Sequence, residues 1–299
     1  MKNSDYKNLS RYVSSYLGGL KTHSVAINDQ EWRYIEGGEG ETIIFLHGLG
    51  GSKLLWRSLM QSYVSKYRVI AVDVPGLCID QRLDNRKHTY RELANWLELL
   101  LKHMRIDRFH LVAHSSACSI ASCFASTRPS QVASIALLNH QDVLVESRGA
   151  QVRGVLETYL DPAVLETSEG WDKTFSSLFY SAPSVPRIIQ RHRQRTMLAH
   201  REDLKRVVEE LAELRPMAMS YLRKLKCPTL SITSTHDVFA PLEFQNSLKN
   251  QMPCAQHVLL DKCGHASFIE KSDEVLNILQ DFFESAKHDS SEKRFAMEL

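Results

Sequence analysis

The chain has 299 residues, 43% of them hydrophobic, with 37 basic and 35 acidic side chains and a formal net charge of +2. This length suits one large α/β domain with an insertion, and the near-balanced charge gives no reason to expect a nucleic-acid partner. Apolar runs are far shorter than the ~20 residues of a transmembrane helix, the start of the chain lacks the apolar core of a secretory signal, and the six cysteines form no CxxC pair. We therefore expect a cytoplasmic protein with reduced thiols, no transmembrane segment and no bound metal.

The first 140 residues predict one helix followed by alternating strands and helices. Residues 1–21 carry apolar side chains at helical spacing, which predicts an N-terminal helix packed on the body of the protein. A membrane-surface or partner-binding helix is the alternative. Beyond it, the pattern predicts strands at 22–27, 32–35, 42–46, 68–72, 109–113 and 132–138, and helices at 53–65, 89–104 and 118–127. Such alternation is typical of βαβ units in a parallel sheet with helices on both faces.

The alternation stops between residues 141 and 222, where the sequence is charged and helical in pattern. It resumes with strands at 229–234 and 257–260 and helices at 242–250 and 273–283, and a polar tail covers 288–299. We therefore expect a core of residues 22–140 and 223–287, interrupted by a helical cap of residues 141–222. Because open sheets bind ligands at the carboxyl ends of their strands, the cap is expected to cover that edge as a lid.

A serine stands where one predicted strand meets a helix. The strand at 109–113 runs almost directly into Ser115, and the helix at 118–127 follows. A sharp strand–turn–helix with a serine at its tip is a nucleophile elbow, which places the hydroxyl at a helix N-terminus where developing negative charge is favoured. The flanking positions usually hold glycine, whereas here they are Ala113 and Ala117. Ser115 is thus the candidate nucleophile, in a turn with one extra methyl group at each end.

Two further residues complete a candidate catalytic triad. A serine hydroxyl needs a neighbouring base, and the base needs a carboxylate to orient it. His265 follows the strand at 257–260 and is the candidate base, and Asp237 follows the strand at 229–234 and is the candidate acid. Asp142, beyond the strand at 132–138, is a competing acid. His114 is an alternative base, although we expect it to point into the sheet.

A glycine-rich loop directly follows the strand at 42–46. It consists of His47, Gly48, Leu49, Gly50 and Gly51. Glycines let the backbone approach a ligand closely, and an acyl-transfer intermediate needs two backbone N–H donors for its oxyanion. We assign these donors to Leu49 and Ser116, with His47 and the glycines as the supporting loop. For Ser116 we expect the amide to matter more than the hydroxyl.

These motifs together resemble the α/β-hydrolase superfamily in its single-domain form with a helical cap. The resemblance covers about residues 22–285 and rests on the loop at 47–51, the segment 73–76, the elbow, the segment 237–241 and Gly264-His265. It implies a mostly parallel eight-stranded sheet and a Ser-His-Asp triad that needs no cofactor. The alanines at the elbow and the segment 73–80, which lacks the usual second glycine and following serine, depart from the family pattern.

The function expected from these residues is hydrolysis of a carboxylic ester or thioester through an acyl-enzyme. Relatives that hydrolyse haloalkanes or epoxides carry an aspartate at the elbow, where this chain has Ser115, so those reactions are disfavoured. Carbon–carbon bond hydrolysis and cofactor-free peroxidation use the same triad and stay open. From another class, a slow-turnover ligand receptor that signals through its cap is also open.

The cap also carries a basic run, Arg187, Arg191, His192, Arg193, Arg195 and Arg201. A run of charge is most simply a solvated helix face. The sharper hypothesis is a contact for a coenzyme A or acyl-carrier substrate, because phosphates and acidic helices pair with arginine. The sequence leaves the oligomeric state and the acyl-chain length open.

Overall fold

The computed structural model describes residues 19–27, 30–79, 89–141 and 160–297. Almost all of the predicted N-terminal helix and the competing acid Asp142 lie outside these described residues. Within them, eight strands form one sheet in the order β1-β2-β4-β3-β5-β6-β7-β8. The strands are β1 Lys21–Ile27, β2 Gln30–Gly37, β3 Thr42–Leu46, β4 Arg68–Val72, β5 Phe109–His114, β6 Val132–Leu138, β7 Thr229–Ser234 and β8 Gln256–Leu260.

The sheet is mostly parallel, as the sequence predicts. Only the two edge pairings, β1 with β2 and β2 with β4, are antiparallel, and the pairings from β4 through β8 are parallel. The central strands β3 and β5 are buried along their whole length, because helices cover both faces of a sheet built from βαβ units. The carboxyl ends of the parallel strands therefore meet at one edge, where the loops after β3, β5, β6, β7 and β8 lie side by side.

Helices surround this sheet, and four of them, α4 to α7, lie between β6 and β7 in the described residues, in the region where the sequence predicts a cap. The helices are α1 Arg57–Tyr63, which follows a 3₁₀ turn at Lys53–Trp56, α2 Tyr90–His103, α3 Ala117–Thr127, α4 Pro162–Leu165, α5 Ser168–Ser176, α6 Arg187–Glu213, α7 Arg215–Leu222, α8 Leu242–Gln251, α9 Ser267–Glu270 and α10 Ser272–Met297. Thr89 and Glu92 form a capping box that fixes the start of α2.

The last helix is longer than the sequence predicts. The apolar pattern predicts an end near Phe283 and a polar tail at 288–299, whereas α10 continues to Met297. The segment after Phe283 contains neither proline nor glycine and is rich in residues that favour helices. Because this segment is mostly polar, it carries no apolar periodicity that would predict a helix.

Three apolar clusters hold the described residues together. One lies between the sheet and α2, α3 and α8, with Leu97 and Phe124 among its buried members. A second lies on the other face against α1 and α10, with Trp56 and Phe283. The third belongs to the cap helices α4 to α6 and reaches the core through Ile79 and the partly buried Leu49. The helices α4 to α6, which lie between β6 and β7 in the chain, are thus packed near the loop that follows β3. No helix in the described ranges is long and apolar enough to cross a membrane.

Candidate active site

Ser115 occupies a strained turn between β5 and α3. Its φ is +57°, in the left-handed region that residues with a side chain rarely adopt. The Ser115 N–H donates to the carbonyl of Leu138 at the end of β6, at 2.9 Å, which fixes the turn to the neighbouring strand. Ala113 and Ala117 are fully buried on either side. The turn of a nucleophile elbow therefore forms with alanine in place of both flanking glycines.

Ser115, His265 and Asp237 come together across the carboxyl edge of the sheet, and all three side chains are buried. The Ser115 hydroxyl donates to His265 Nε2, with an O–N distance of 2.9 Å. On the other side of the ring, His265 Nδ1 donates to Asp237, at 2.9 Å from Oδ1 and 3.0 Å from Oδ2. This continuous chain of hydrogen bonds allows a proton to pass from the hydroxyl to an oriented imidazole.

The environment of Asp237 keeps its carboxyl group ionised. Burial alone raises the pKa of Asp237, but the charge of His265 and the hydrogen bonds from His265, Asn139 and the Phe239 N–H outweigh it and lower the pKa. Oδ1 accepts the N–H groups of Phe239 at 2.9 Å and Ala240 at 3.2 Å, and Oδ2 accepts Asn139 Nδ2 at 3.0 Å. Donors to the charged form favour it, so this carboxylate is built to stabilise a protonated imidazole.

Asn139, which the sequence does not single out, is therefore part of the site. It lies directly after β6, three residues before Asp142 in the chain. Its only sequence signal is its place at the end of a predicted strand, which it shares with the loops that carry Ser115 and Asp237. A neutral amide does not by itself indicate acid–base chemistry. The residues that Asn139 contacts are distant in the chain, so the sequence does not show that it belongs to the site.

The alternative base His114 serves the site differently. Its ring lies against that of His265, with centroids 4.7 Å apart, and its Nε2 donates to the His265 carbonyl at 2.9 Å. Complete burial, with a smaller contribution from the nearby His265, lowers the pKa of His114 to about 3. The Nε2 of His114 is thus engaged by a carbonyl, whereas the Ser115 hydroxyl lies 2.9 Å from His265 Nε2, so the geometry favours His265 as the base.

The glycine loop after β3 lies directly against the elbow. A Cβ on Gly48 would stand 2.6 Å from the Ser115 Cβ, so only glycine fits there without a shift. His47 Nδ1 donates to the Gly48 carbonyl at 2.8 Å, and its Nε2 accepts the N–H of Val74 at 2.9 Å. His47 thus braces the loop from both ring nitrogens.

The Leu49 N–H, one of the two expected oxyanion donors, points at the hydroxyl of Ser116. The N–O distance is 3.0 Å. Ser116 stands at the start of α3, yet its side chain makes no capping hydrogen bond to that helix. The hydroxyl of Ser116, which the sequence treats as less important than the amide, is therefore the acceptor for Leu49 in this structure.

One group of possible metal ligands lies below this loop. Within the described residues, His47, Asp73 and Cys78 are the single set of three whose ligand atoms lie within 4.8 Å of one another. Lys53 Nζ lies 2.5 Å from Asp73 Oδ2 and supplies the positive charge there. Because both ring nitrogens of His47 are also engaged, the set does not offer the free donors that a divalent ion requires.

A cavity of about 530 Å³ opens above Ser115 and His265. The cap contributes an apolar wall, which includes Phe175, Leu178, Phe179, Val185 and Ile189. The volume lies in the range of pockets that enclose small organic ligands. An acyl chain would find apolar contacts on the cap side and the reactive groups on the sheet side.

Arg193 of α6 is the lining side chain with a permanent charge, within the part of the chain that the structure describes. Its Nη2 donates to the Gly50 carbonyl at 3.3 Å, while its buried Nε has no hydrogen-bond partner. No carboxylate of the described ranges pairs with it. An unpaired guanidinium in a partly enclosed pocket is a favourable partner for an anionic group on a ligand.

The rest of the predicted basic run lies outside the pocket. Arg187, Arg191 and Arg195 are exposed and follow one another at helical spacing along α6. Arg201 lies further along and pairs with Glu202 at 3.2 Å. Only Arg193 of this run faces the cavity, so the run divides into one pocket residue and an exposed basic stripe.

The chain is similar to several known proteins in sequence and in structure. A family model described as the alpha/beta hydrolase fold matches residues 41–272. The chain is 25% identical to 2-hydroxy-6-oxononadienedioate/2-hydroxy-6-oxononatrienedioate hydrolase 2 of Pseudomonas putida, over 86% of this chain and 92% of the relative. It is 22% identical to monoacylglycerol lipase of Homo sapiens, over 86% of this chain and 79% of the relative. A crystal structure of a membrane phospholipase A, a bacterial virulence factor, superposes with a TM-score of 0.83 at 24% identity, covering 95% of this chain and 92% of that one.

Proposed function

The chain belongs to the α/β-hydrolase fold family and is a hydrolase, and from this premise we propose that it cleaves a carboxylic ester or thioester through an acyl-enzyme on Ser115. The observation that carries the proposal is the buried hydrogen-bond chain from the Ser115 hydroxyl through His265 to Asp237. A serine in that chain can act as a nucleophile, because His265 Nε2 lies 2.9 Å from its hydroxyl oxygen and can accept its proton.

The reaction begins when the Ser115 oxygen attacks the substrate carbonyl while His265 Nε2 takes the hydroxyl proton. Asp237 holds the ring in the tautomer that leaves Nε2 free to accept, and its charge stabilises the imidazolium that forms. The same proton then passes to the leaving alcohol or thiol. A water molecule, deprotonated by His265 in its turn, releases the acid and restores Ser115.

The oxyanion of the intermediate is held by the backbone N–H groups of Leu49 and Ser116. In the free enzyme the Leu49 N–H donates to the Ser116 hydroxyl at 3.0 Å, so it exchanges this neutral acceptor for a charged one as the intermediate forms. Hydrogen bonds to a charged acceptor are about twice as strong as neutral ones, which favours the exchange in the transition state. Loss of one such donor typically slows turnover by about 100-fold or more.

Labelling with a fluorophosphonate probe tests the nucleophile. We expect wild type to be labelled and Ser115→Ala to stay unlabelled, with Ser58→Ala as the matched control because Ser58 also lines the cavity. A panel of p-nitrophenyl esters and thioesters of increasing acyl length then measures which chain the apolar wall prefers. Labelling that survives Ser115→Ala, or the absence of turnover on every ester and thioester, would contradict the proposal.

A second candidate is hydrolysis of a carbon–carbon bond in a substrate that carries a carboxylate. Arg193 favours it, because an unpaired guanidinium faces the cavity, and the Pseudomonas putida relative is named for dicarboxylate substrates. In Arg193→Gln we expect KM to rise about tenfold for an ester that carries a carboxylate and to stay unchanged for a neutral ester. Arg191→Gln, an exposed neighbour on α6, is the control. An equal effect on both esters would remove the support for an anionic substrate.

We further propose that the exposed arginines of α6 contact an acyl-carrier or coenzyme A substrate. Arg187, Arg191 and Arg195 are exposed on the helix that also carries Arg193 into the cavity. Binding through exposed charges weakens with ionic strength, so KM for a coenzyme A thioester should rise steeply with salt while KM for a simple ester does not. Equal salt dependence of the two substrates would argue against the contact, and binding of a ligand without turnover would favour a receptor.

A further inference from the structure

Asn139 holds an unusual backbone conformation at the carboxyl end of β6. Its φ is +49°, in the left-handed region, which asparagine tolerates better than most residues with a side chain. Its N–H donates to the Ile232 carbonyl in β7 at 2.8 Å, so the residue is anchored to the strand that precedes the acid. The side chain is fully buried. This conformation directs the amide into the space between the loops that follow β7 and β8.

The amide of Asn139 joins the acid segment to the base segment. Nδ2 donates to Asp237 Oδ2 at 3.0 Å and to Ser234 Oγ at 2.9 Å. Nδ2 also lies 3.4 Å from the Gly264 carbonyl, directly before His265 in the chain. On the other side, Oδ1 accepts the hydroxyl of Ser267 at 2.5 Å. One side chain therefore contacts both segments whose spacing sets the bond between acid and base.

We propose, resting on the function proposed above, that Asn139 is a positioning residue that acts on His265 through Asp237. With Oδ1 of Asp237 taken by two backbone N–H groups, the Asn139 amide is the side-chain donor to Oδ2 besides His265. It fixes the plane of the carboxylate, and the plane decides how well the carboxylate meets His265 Nδ1. The contact to Ser267 holds the base segment at the matching distance.

The effects of a substitution on kcat, KM and the melting temperature distinguish a positioning role of Asn139 from a purely structural one. Asn139 does not line the cavity, so the loss of its amide should lower kcat and leave KM within about twofold. A hydrogen bond to a charged group contributes about 1.5–3 kcal/mol, which corresponds to a loss of about tenfold to 100-fold in rate when it acts on the transition state. If the Asn139 hydrogen bonds only stabilised the fold, their loss would lower the melting temperature without lowering kcat selectively.

A double-mutant cycle on kcat tests the proposal. The variants are Asn139→Gly, which keeps a residue that accepts positive φ, Asp237→Ala and the double variant, assayed with an activated ester. If Asn139 acts through Asp237, the Gly substitution costs about tenfold or more in wild type and almost nothing in the Asp237→Ala background. Ser122→Ala removes a buried hydroxyl that donates to the Cys118 carbonyl within α3; it is the control and should leave kcat unchanged.

The result that would overturn the proposal is equal cost of Asn139→Gly in both backgrounds. Proton NMR of the His265 Nδ1–H gives a second readout that needs no substrate. We expect this resonance to move in Asn139→Gly, and to a smaller extent in Ser267→Ala, while Ser122→Ala leaves it in place. A resonance unchanged in Asn139→Gly contradicts the positioning role whether or not the esters are turned over. Failure of wild type on every ester, with the resonance shift intact, would instead count against the proposed function alone.

Discussion

Replacement of Gly48 by alanine tests how closely the position of Ser115, the proposed nucleophile, depends on the glycine loop. A Cβ at this position would lie 2.6 Å from the Ser115 Cβ and 3.0 Å from the His114 carbonyl oxygen. Favourable contacts between carbon atoms lie near 3.5–4.0 Å, so the loop and the elbow must separate by about 1 Å. Both neighbours are parts of the sheet edge, and neither is the end of a flexible side chain.

The expected cost follows from this displacement. Overpacking of a tight contact costs about 1–3 kcal/mol of stability. A misplacement of about 1 Å in the reacting groups costs about 100-fold in rate, and here it moves the Leu49 donor relative to Ser115. We therefore expect Gly48→Ala to lower kcat on an activated ester by about 100-fold and to slow fluorophosphonate labelling by a similar factor.

Gly40→Ala is the matched control. Gly40 has a φ of +102° and precedes the amino end of β3, at the opposite edge of the sheet from Ser115. Strained backbone costs about 1–3 kcal/mol, so this variant should lose comparable stability in a urea titration yet keep its kcat. If Gly48→Ala turns over at the wild-type rate, or if both variants lose rate in proportion to stability, the argument from close packing at the elbow is refuted.

Three further outcomes follow from the same structure. Asp237→Asn should keep the shape of the site but lower kcat by about 10⁴-fold, because an amide cannot hold the His265 tautomer; a loss below tenfold would contradict the assigned acid. Burial lowers the pKa of His140 to about 3 and of His110 to about 4. Below about pH 6.5, the ordinary pKa of histidine, these two side chains are protonated in the unfolded chain but stay neutral in the folded protein. The free energy of unfolding should therefore fall between about pH 6.5 and pH 4, by up to about 1.4 kcal/mol per pH unit for each histidine. In a pH series of urea titrations, His140→Gln should flatten this slope, and an unchanged slope would contradict the assignment. Phe124→Ala should lower the free energy of unfolding by about 3–5 kcal/mol, because the ring is fully buried and packs 5.6 Å from Phe109 between centroids; a urea titration that shows less than about 1 kcal/mol would contradict this.

Most of the fold can be predicted from local sequence patterns. The strand at 42–46 is a short apolar run ahead of glycines, and the strand at 109–113 ends in a serine between small residues, so both elements and their order follow from the sequence. The parallel arrangement follows from the alternation with helices. The sequence after Phe283 is mostly polar and shows no apolar periodicity, so it does not predict the continuation of α10 to Met297.

The candidate site was predictable where chemistry selects a residue type. A nucleophile, a base and an acid must be serine, histidine and a carboxylate in this mechanism, and each follows a strand, so Ser115, His265 and Asp237 could be named. Asn139 could not, because its contacts to Ser234, Asp237 and Gly264 span 95 to 125 positions of the chain. The role of such an amide can be recognised only from the contacts that form when folding brings three loops together.

The same limit applies to the Ser116 hydroxyl. Its partner is the Leu49 N–H, 67 positions away, and a serine after a nucleophile has no local signature. The direction of Arg193 into the cavity, with its neighbours in the basic run outside, also depends on how α6 is rotated over the sheet. Helical spacing sorts these arginines into faces but does not say which face meets the pocket.

The central claim is that Ser115 carries the acyl group during turnover. The most direct measurement is intact-mass spectrometry of the enzyme quenched within milliseconds of mixing with a p-nitrophenyl ester, followed by peptide mapping. We expect a mass increase equal to the acyl group, located on Ser115, that decays as the acid is released and is absent in Ser115→Ala. Turnover without an acyl adduct, or an adduct that maps to another residue such as Ser116, would contradict it.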